Sequence, residues 1–211
     1  MMKFKMTFAV SVAFAGLAAC GGTNEPTVPL TPQETELIAR TAEFEDLLDD
    51  TDGIAASGAS VMSAATGNVS FEGMAVLIVD PTVVNDGLRA AEASLLGDVS
   101  FDFNLVTGQA SGSATNFYGS DGLSGTANID EYSGSLTLDN GTIGVGAHNA
   151  ITLDYGGTLS GNDQVIVADG TASGLVLGNP NVRAVEMSEN GTVTFDGVST
   201  DGYFYIVAEP E

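Results

Sequence analysis

Apolar residues recur at every second position in run after run from about Ala59 onward, and this period of two is what most narrows the folds open to the chain. Val69, Phe71, Gly73, Ala75, Leu77 and Val79 share one face of a run, with Ser70 and Glu72 starting the other. Phe101, Phe103 and Leu105 alternate with Ser100, Asp102 and Asn104. Leu123, Gly125, Ala127 and Ile129 follow, then Leu136 with Leu138, and Ile151 with Leu153 and Tyr155. Val165 with Val167, Val193 with Phe195, and Tyr203 with Tyr205 and Val207 complete the series. Side chains alternate across a strand, so each run reads as a strand with one buried face. Turn dipeptides punctuate the series: Thr107-Gly108, Asp121-Gly122, Asp139-Asn140-Gly141, Asp169-Gly170, Asn190-Gly191, Asp196-Gly197 and Asp201-Gly202. The pattern predicts a mainly β fold, an eight-stranded antiparallel up-and-down soluble β-barrel over residues 57–209. Closure of the sheet removes its exposed edges.

Two segments break the alternation. Thr31-Pro32-Gln33-Glu34 combines a capping Thr, Pro at the first helical position and Glu three residues after the cap. Leu37, Thr41, Phe44 and Leu48, with Ile38 and Leu47 beside them, recur at helical spacing. An amphipathic helix is therefore expected over 31–52, laid against the barrel or plugging one end of it. Asp49, Asp50 and Asp52 oppose the dipole at its C-terminus, so fraying is expected there. Asp80-Pro81 to Leu96 is expected to be a partly helical long loop, with Leu88, Ala91 and Leu95 as its apolar side. Gly178-Asn179-Pro180-Asn181 reads as a second irregular loop.

The first residues carry an address rather than a fold. Lys3 and Lys5 precede an apolar core from Thr7 to Leu17, and Leu17-Ala18-Ala19 leads into Cys20, the only cysteine. The core is too short to cross a bilayer as a helix, so 1–19 reads as a signal peptide. The Leu-Ala-Ala-Cys arrangement resembles the lipobox of bacterial lipoproteins, which implies lipidation at Cys20, with diacylglycerol on the thiol and a further chain such as palmitate on the new amino terminus. Two or three chains at about 0.8 kcal/mol per buried methylene hold a protein on a membrane. Gly21 in place of Asp implies the outer membrane, and residues 20–30, with Pro26 and Pro29, read as the lipidated Cys and a flexible tether.

Removing that signal takes both lysines with it. Arg40, Arg89 and Arg183 are then left against all 28 acidic residues, and the whole chain has a net charge of −23. Such a field excludes nucleic acid as a partner and opposes adhesion to anionic lipid. With the one thiol lipidated, no disulfide is expected within the mature domain, so burial and backbone pairing must hold it.

The segment Asp98 to Phe103, followed by Thr107-Gly108-Gln109-Ala110-Ser111-Gly112-Ser113-Ala114-Thr115-Asn116-Phe117, resembles the opening barrel strands of transferrin-binding protein B-type surface lipoproteins. Ser124 to Ile129 continues the pattern, and Ala172 to Gly178, Val182 to Glu186 and Gly197 to Tyr205 fit its closing strands loosely. The resemblance implies a single-barrel lipoprotein displayed at the cell surface. The family's receptors are two-lobed, each lobe a barrel with a handle domain, whereas this chain has room for one barrel without a full handle. Transferrin binding is not carried over, because the family's contact residues lie in variable loops.

Catalytic groups are scarce. His148 is the only histidine, and nothing near Gly146-Ala147-His148-Asn149 resembles a nucleophile elbow. Neither catalytic residues nor a metal site nor a cofactor is expected; a lone histidine is more often a turn residue than a ligand. Asp49-Asp50-Thr51-Asp52-Gly53 lacks the distal Glu of a calcium loop. Tyr118, Tyr132, Tyr155, Tyr203 and Tyr205 can serve as iron or haem ligands or a contact surface, with packing the preferred role for most. The sequence thus points to a non-enzymatic outer-membrane lipoprotein, attached to the membrane through Cys20, whose barrel binds or displays loops for a protein or haem partner in nutrient capture. The alternatives are a periplasmic, lipocalin-like carrier of a small apolar ligand and a structural envelope lipoprotein.

Overall fold

The computed structural model describes residues 29–64, 67–80, 82–83, 89–90, 93–104, 106–107, 109–120, 128–144 and 149–211. Helix α1 spans Pro32–Thr51 and the short α2 spans Ala59–Ala64. The long strands are β1 Asn68–Val79, β4 Ala93–Asn104, β5 Ala110–Ser120, β6 Ile129–Ile143, β7 Ala150–Gly161, β8 Gln164–Leu177, β9 Ala184–Phe195 and β10 Val198–Pro210. Between β1 and β4 a small antiparallel ribbon pairs β2, Thr82–Val83, with β3, Arg89–Ala90. The eight long strands close into an antiparallel up-and-down barrel in the order β1-β10-β9-β8-β7-β6-β5-β4, with β1 sealing against both β10 and β4.

The interior is filled by side chains. Phe71 stacks on Phe101 in the neighbouring strand, ring centroids 5.2 Å apart. Tyr155 of β7 meets Phe204 of β10, three strands round the wall, at 4.1 Å. Phe103, Phe117, Tyr132, Leu136, Ile151 and Met187 belong to the same buried cluster. Eight strands leave an interior just wide enough for such packing. At the lower end, where β1 begins and β10 finishes, α2 buries Val61 and packs Met62 on this cluster. The chain ahead of α2 is tied to β8 by the Ser57 N–H donating to the Val176 carbonyl and the Ser57 hydroxyl donating to that of Gly178, both at 2.9 Å.

Helix α1 forms where the capping residues place it. The Glu34 N–H donates to Thr31 Oγ1 at 3.1 Å, and the Thr31 N–H donates back to Glu34 Oε2 at 2.6 Å. The helix lies on the outer wall rather than in the mouth. Leu37 and Phe44 pack on the outward side chains of Met74, Val76, Ile78, Leu96, Tyr203, Tyr205 and Val207. Strands β1 and β10 are consequently buried on both faces, without a break from Met74 to Val79 and from Gly202 to Ala208.

Several sequence expectations need correction. Asp80 to Leu96 is not helical where described: the β2–β3 ribbon lies within it and β4 starts at Ala93. Leu95 and Leu96 pair with Leu77 and Val76 of β1, one facing the core and the other α1. Asp169-Gly170, Asn190-Gly191 and Asp201-Gly202 are strand positions, not turns. Their glycines serve close packing: a Cβ at Gly170 would collide with the Glu189 carboxylate, and one at Gly202 would lie 2.6 Å from Val193 Cγ1. Asp139-Asn140-Gly141 is a bulge inside β6, with Asn140 at φ 50°. The β7–β8 turn is instead Asn162-Asp163, both at positive φ, a primed hairpin geometry. Val165 and Val167 face solvent while Ile166 and Ala168 face the core. Asp196-Gly197 does form the β9–β10 hairpin turn. Leu105, Gly108, the Asp121 to Ala127 stretch, and Leu88 and Ala91 lie outside the described residues.

Candidate functional site

Polar chemistry gathers at three places on this scaffold. The first is the clip that fastens α1. Arg40 lies on the buried stripe of the helix, three residues after Leu37 and four before Phe44, and is only 8% exposed. Its Nη1 donates to Asp98 Oδ1 of β4 and its Nε donates to Glu36 Oε1 at 3.0 Å. Its guanidinium sits 4.9 Å from the centre of the Tyr118 ring of β5. Asn116 Nδ2 donates to Asp98 Oδ2 at 2.9 Å from a left-handed bulge position, φ 52°, which also shifts the β5–β6 register. Burial works against the Arg40 charge, but the hydrogen bond and the negative charge of Asp98 outweigh it and raise its pKa. Periodicity marked the stripe through Leu37 and Phe44; that Arg40 completes it is legible only once Asp98 is placed opposite.

The second place is inside the wall. Glu189 lies on the inward row of β9 with Val185, Met187 and Val193. Its carboxylate rests over Gly170, at the point where the β8–β9 ladder is interrupted between Ala168 and Ser173. Burial raises the pKa of the Tyr155 phenol above the ordinary tyrosine range, and the charge of Glu189 and a hydrogen bond to it add to the rise. Glu189 Oε2 is buried without a hydrogen-bond partner among the described residues. The glycines and the phenol explain how an acid is housed in an apolar interior.

The third place is a polar cleft of about 400 Å³ on the outer wall at the lower rim. Its lining comes from the start of β1 (Asn68), the end of β4 (Asp102, Asn104), the start of β5 (Gln109, Ala110, Ser111) and the β6 bulge (Asp139, Asn140). Asn104 is consumed by structure: its Oδ1 accepts the Val106 and Thr107 N–H groups at 2.9 Å, and its Nδ2 donates to Asn68 Oδ1 at 2.8 Å. The Ser70 hydroxyl donates to Asp102 Oδ1 at 2.7 Å, and Asn140 Nδ2 donates to Asp139 Oδ1 at 3.0 Å. These bonds fix the rim and leave the other polar atoms of Asn68, Asp102, Asp139 and Asn140, with the Gln109 amide and Ser111 hydroxyl, without a hydrogen bond among the described residues that line the cleft. Volume and lining fit a small polar ligand rather than an apolar one.

The residues singled out in the sequence are dispersed. Cys20 and His148 lie outside the described residues. Tyr132 and Tyr155 are core residues, while Tyr203, Tyr205 and Tyr118 pack on the outer wall beneath α1. Among the described residues no cluster of three or more His, Cys, Asp or Glu side chains is arranged to hold a metal ion. The Asp49 to Asp52 stretch closes α1, where the Asp52 N–H donates to the Leu48 carbonyl at 2.9 Å. Of the segments compared with the transferrin-binding lipoproteins in the sequence, Asp98 to Phe117 falls in β4 and β5, the three closing segments fall in or beside β8, β9 and β10, and most of Ser124 to Ile129 lies outside the described residues. No protein-family model, curated protein or solved structure matches the chain.

Proposed function

We propose that this chain is a non-enzymatic lipoprotein of the outer membrane, lipidated at Cys20, whose barrel presents its outer wall and strand-end loops to a protein or haem partner in nutrient capture. One observation carries the preference for external binding over an internal carrier: Tyr155 and Phe204 meet across the barrel at 4.1 Å, occupying the space a lipocalin-like ligand would need. The outward rows of β6 and β7 are also polar, with Ser133, Ser135, Thr137 and Asp139 on one and Thr152, Asp154, Thr158 and Ser160 on the other. Such rows suit water better than the apolar band and aromatic girdles of a membrane-spanning barrel. The chain's acidity favours a partner with a basic face.

Two measurements test this. Protease treatment of intact cells should remove the barrel from the surface, and Cys20→Ser should release it from the membrane fraction. Purified protein should then retain a basic protein, or haem, from a nutrient-bearing extract. Protection of the barrel in intact cells together with a co-purifying small apolar molecule would overturn the proposal in favour of the carrier.

A further inference from the structure

We propose that the lower-rim cleft between β1, β4, β5 and the β6 bulge is a saccharide-binding site, taking a neutral sugar, plain or N-acetylated, through its hydroxyl groups. The inference stands on the cleft's own chemistry and does not depend on how the chain is anchored. Donors and acceptors both remain in the lining. Asn68 keeps its amide nitrogen, because its oxygen is held by Asn104. Asn140 keeps its amide oxygen, because its nitrogen is held by Asp139. Asp102 and Asp139 each keep a carboxylate oxygen, and Gln109 and Ser111 contribute a whole amide and a whole hydroxyl.

A sugar hydroxyl both donates and accepts, so a row of hydroxyls can satisfy such a mixed lining. An ammonium or guanidinium group only donates and would leave the Asn68 and Gln109 nitrogens without acceptors. The two carboxylates repel phosphorylated, sulfated or sialylated sugars in a chain already short of cations. Haem is a poor fit, since Ala110 is the one apolar side chain in the lining. A volume of about 400 Å³ admits a compact polar ligand, and the rim is preset by the Asn104 and Ser70 hydrogen bonds rather than formed on binding. Without an aromatic platform, affinity rests on hydrogen bonds and falls near about 1 mM.

The test is saturation-transfer NMR on the full-length protein in a sugar-free detergent, with maltose, diacetylchitobiose and spermidine as probes. Transfer to at least one of the two disaccharides is expected, and comparing them separates plain from N-acetylated hexose. Gln109→Ala with Ser111→Ala should weaken that binding about tenfold. Both residues are exposed and neither side chain holds the rim, so the thermal midpoint should hold; Ser111→Ala alone, expected to weaken binding about threefold, is the second variant if it does not. Absence of transfer to either sugar at about 10 mM, equal transfer in the double variant, or transfer to spermidine alone would overturn the assignment.

Discussion

The wall beneath α1 and the wall opposite it are built from the same antiparallel ladder, yet they encode burial differently. Strands β10 and β1 run apolar on both faces, because Phe204 and Ile206 fill the barrel while Tyr203, Tyr205 and Val207 meet the helix. Strand β6 meets the helix only at its start, where Ile129 joins the Leu37 and Phe44 cluster. Beyond that it alternates, as β7 does throughout, with Leu136, Leu138, Leu153 and Tyr155 inward and Ser, Thr and Asp outward. The difference teaches that the helix is part of the core rather than an appendage: it turns one side of the barrel into a two-layer structure. Arg40 belongs to that layer, since the cation lies within the apolar stripe and is neutralised by the wall it covers.

The sharpest way to break the comparison is to truncate an apolar side chain beneath the helix and one that faces solvent. Phe44→Ala removes an edge-on contact with Tyr205, ring centroids 5.9 Å apart, from a position 3% exposed. A loss of about 3–5 kcal/mol in urea unfolding is expected. Val167→Ala, on the solvent face of the neighbouring β8, should stay within about 0.5 kcal/mol. Similar losses at both would show that the helix adds no second layer. The clip gives the next effect. Asp98→Ala strands the buried Arg40 with only Glu36 to answer it, and a loss of about 2 kcal/mol is expected. Asp154→Ala frees the exposed Thr171 hydroxyl but also removes the acid opposite Asp139, and should cost less than about 1 kcal/mol.

How much of this was readable in the sequence follows the same division. The barrel, its strand number and the capping box of α1 rest on local signals, period two and residue spacing, which the structure honours. Face assignment held where one side of a strand is polar, as at Phe101 and Phe103. It failed at Val165 and Val167, because adjacent Ile166 and Ala168 offered an equally apolar alternative and only pairing with β7 decides between them. The glycines misled for a related reason. Gly170 and Gly202 sit after Asp, as turn glycines do, but their cause is a side chain arriving from another strand. The cleft was least legible of all. Asp102 and Gln109 flank one turn, but Asn68 and Asp139 are 30 residues or more from either, and all four converge only through the register of β1, β4, β5 and β6.

Alkaline pH should separate interior from bare wall next. Burial first, then neighbouring carboxylates, raises the pKa of Tyr155 in the barrel and of Tyr205 beneath the helix. A raised folded-state value means the unfolded chain releases these protons earlier. The stability that each phenol contributes is therefore complete below about pH 10 and declines as pH climbs toward the folded value. Each tyrosine should contribute a slope of at most about 1.4 kcal/mol per pH unit in that window. Tyr155→Phe and Tyr205→Phe should each flatten the decline in unfolding free energy, whereas an unchanged slope would place the cause elsewhere.

The smallest effect belongs to the bare wall. Asp139 of β6 and Asp154 of β7 stand directly opposite each other in register, the like-charge arrangement that an antiparallel pair tolerates least. Asp154 draws a hydrogen bond from the Thr171 hydroxyl at 2.6 Å, and Asp139 one from Asn140 at 3.0 Å, so each charge is partly answered without a cation. Asp139→Asn should therefore stabilise the barrel by a few tenths of a kcal/mol at low salt, roughly the scale of one cross-strand pair. Added salt screens the repulsion in the parent protein and should erase the gain. The same substitution beneath α1, Asp98→Asn, removes the charge that answers Arg40 and should destabilise. Opposite signs for these two Asp→Asn changes would show that the walls differ in electrostatics as they do in burial, and equal signs would reduce the difference to packing alone.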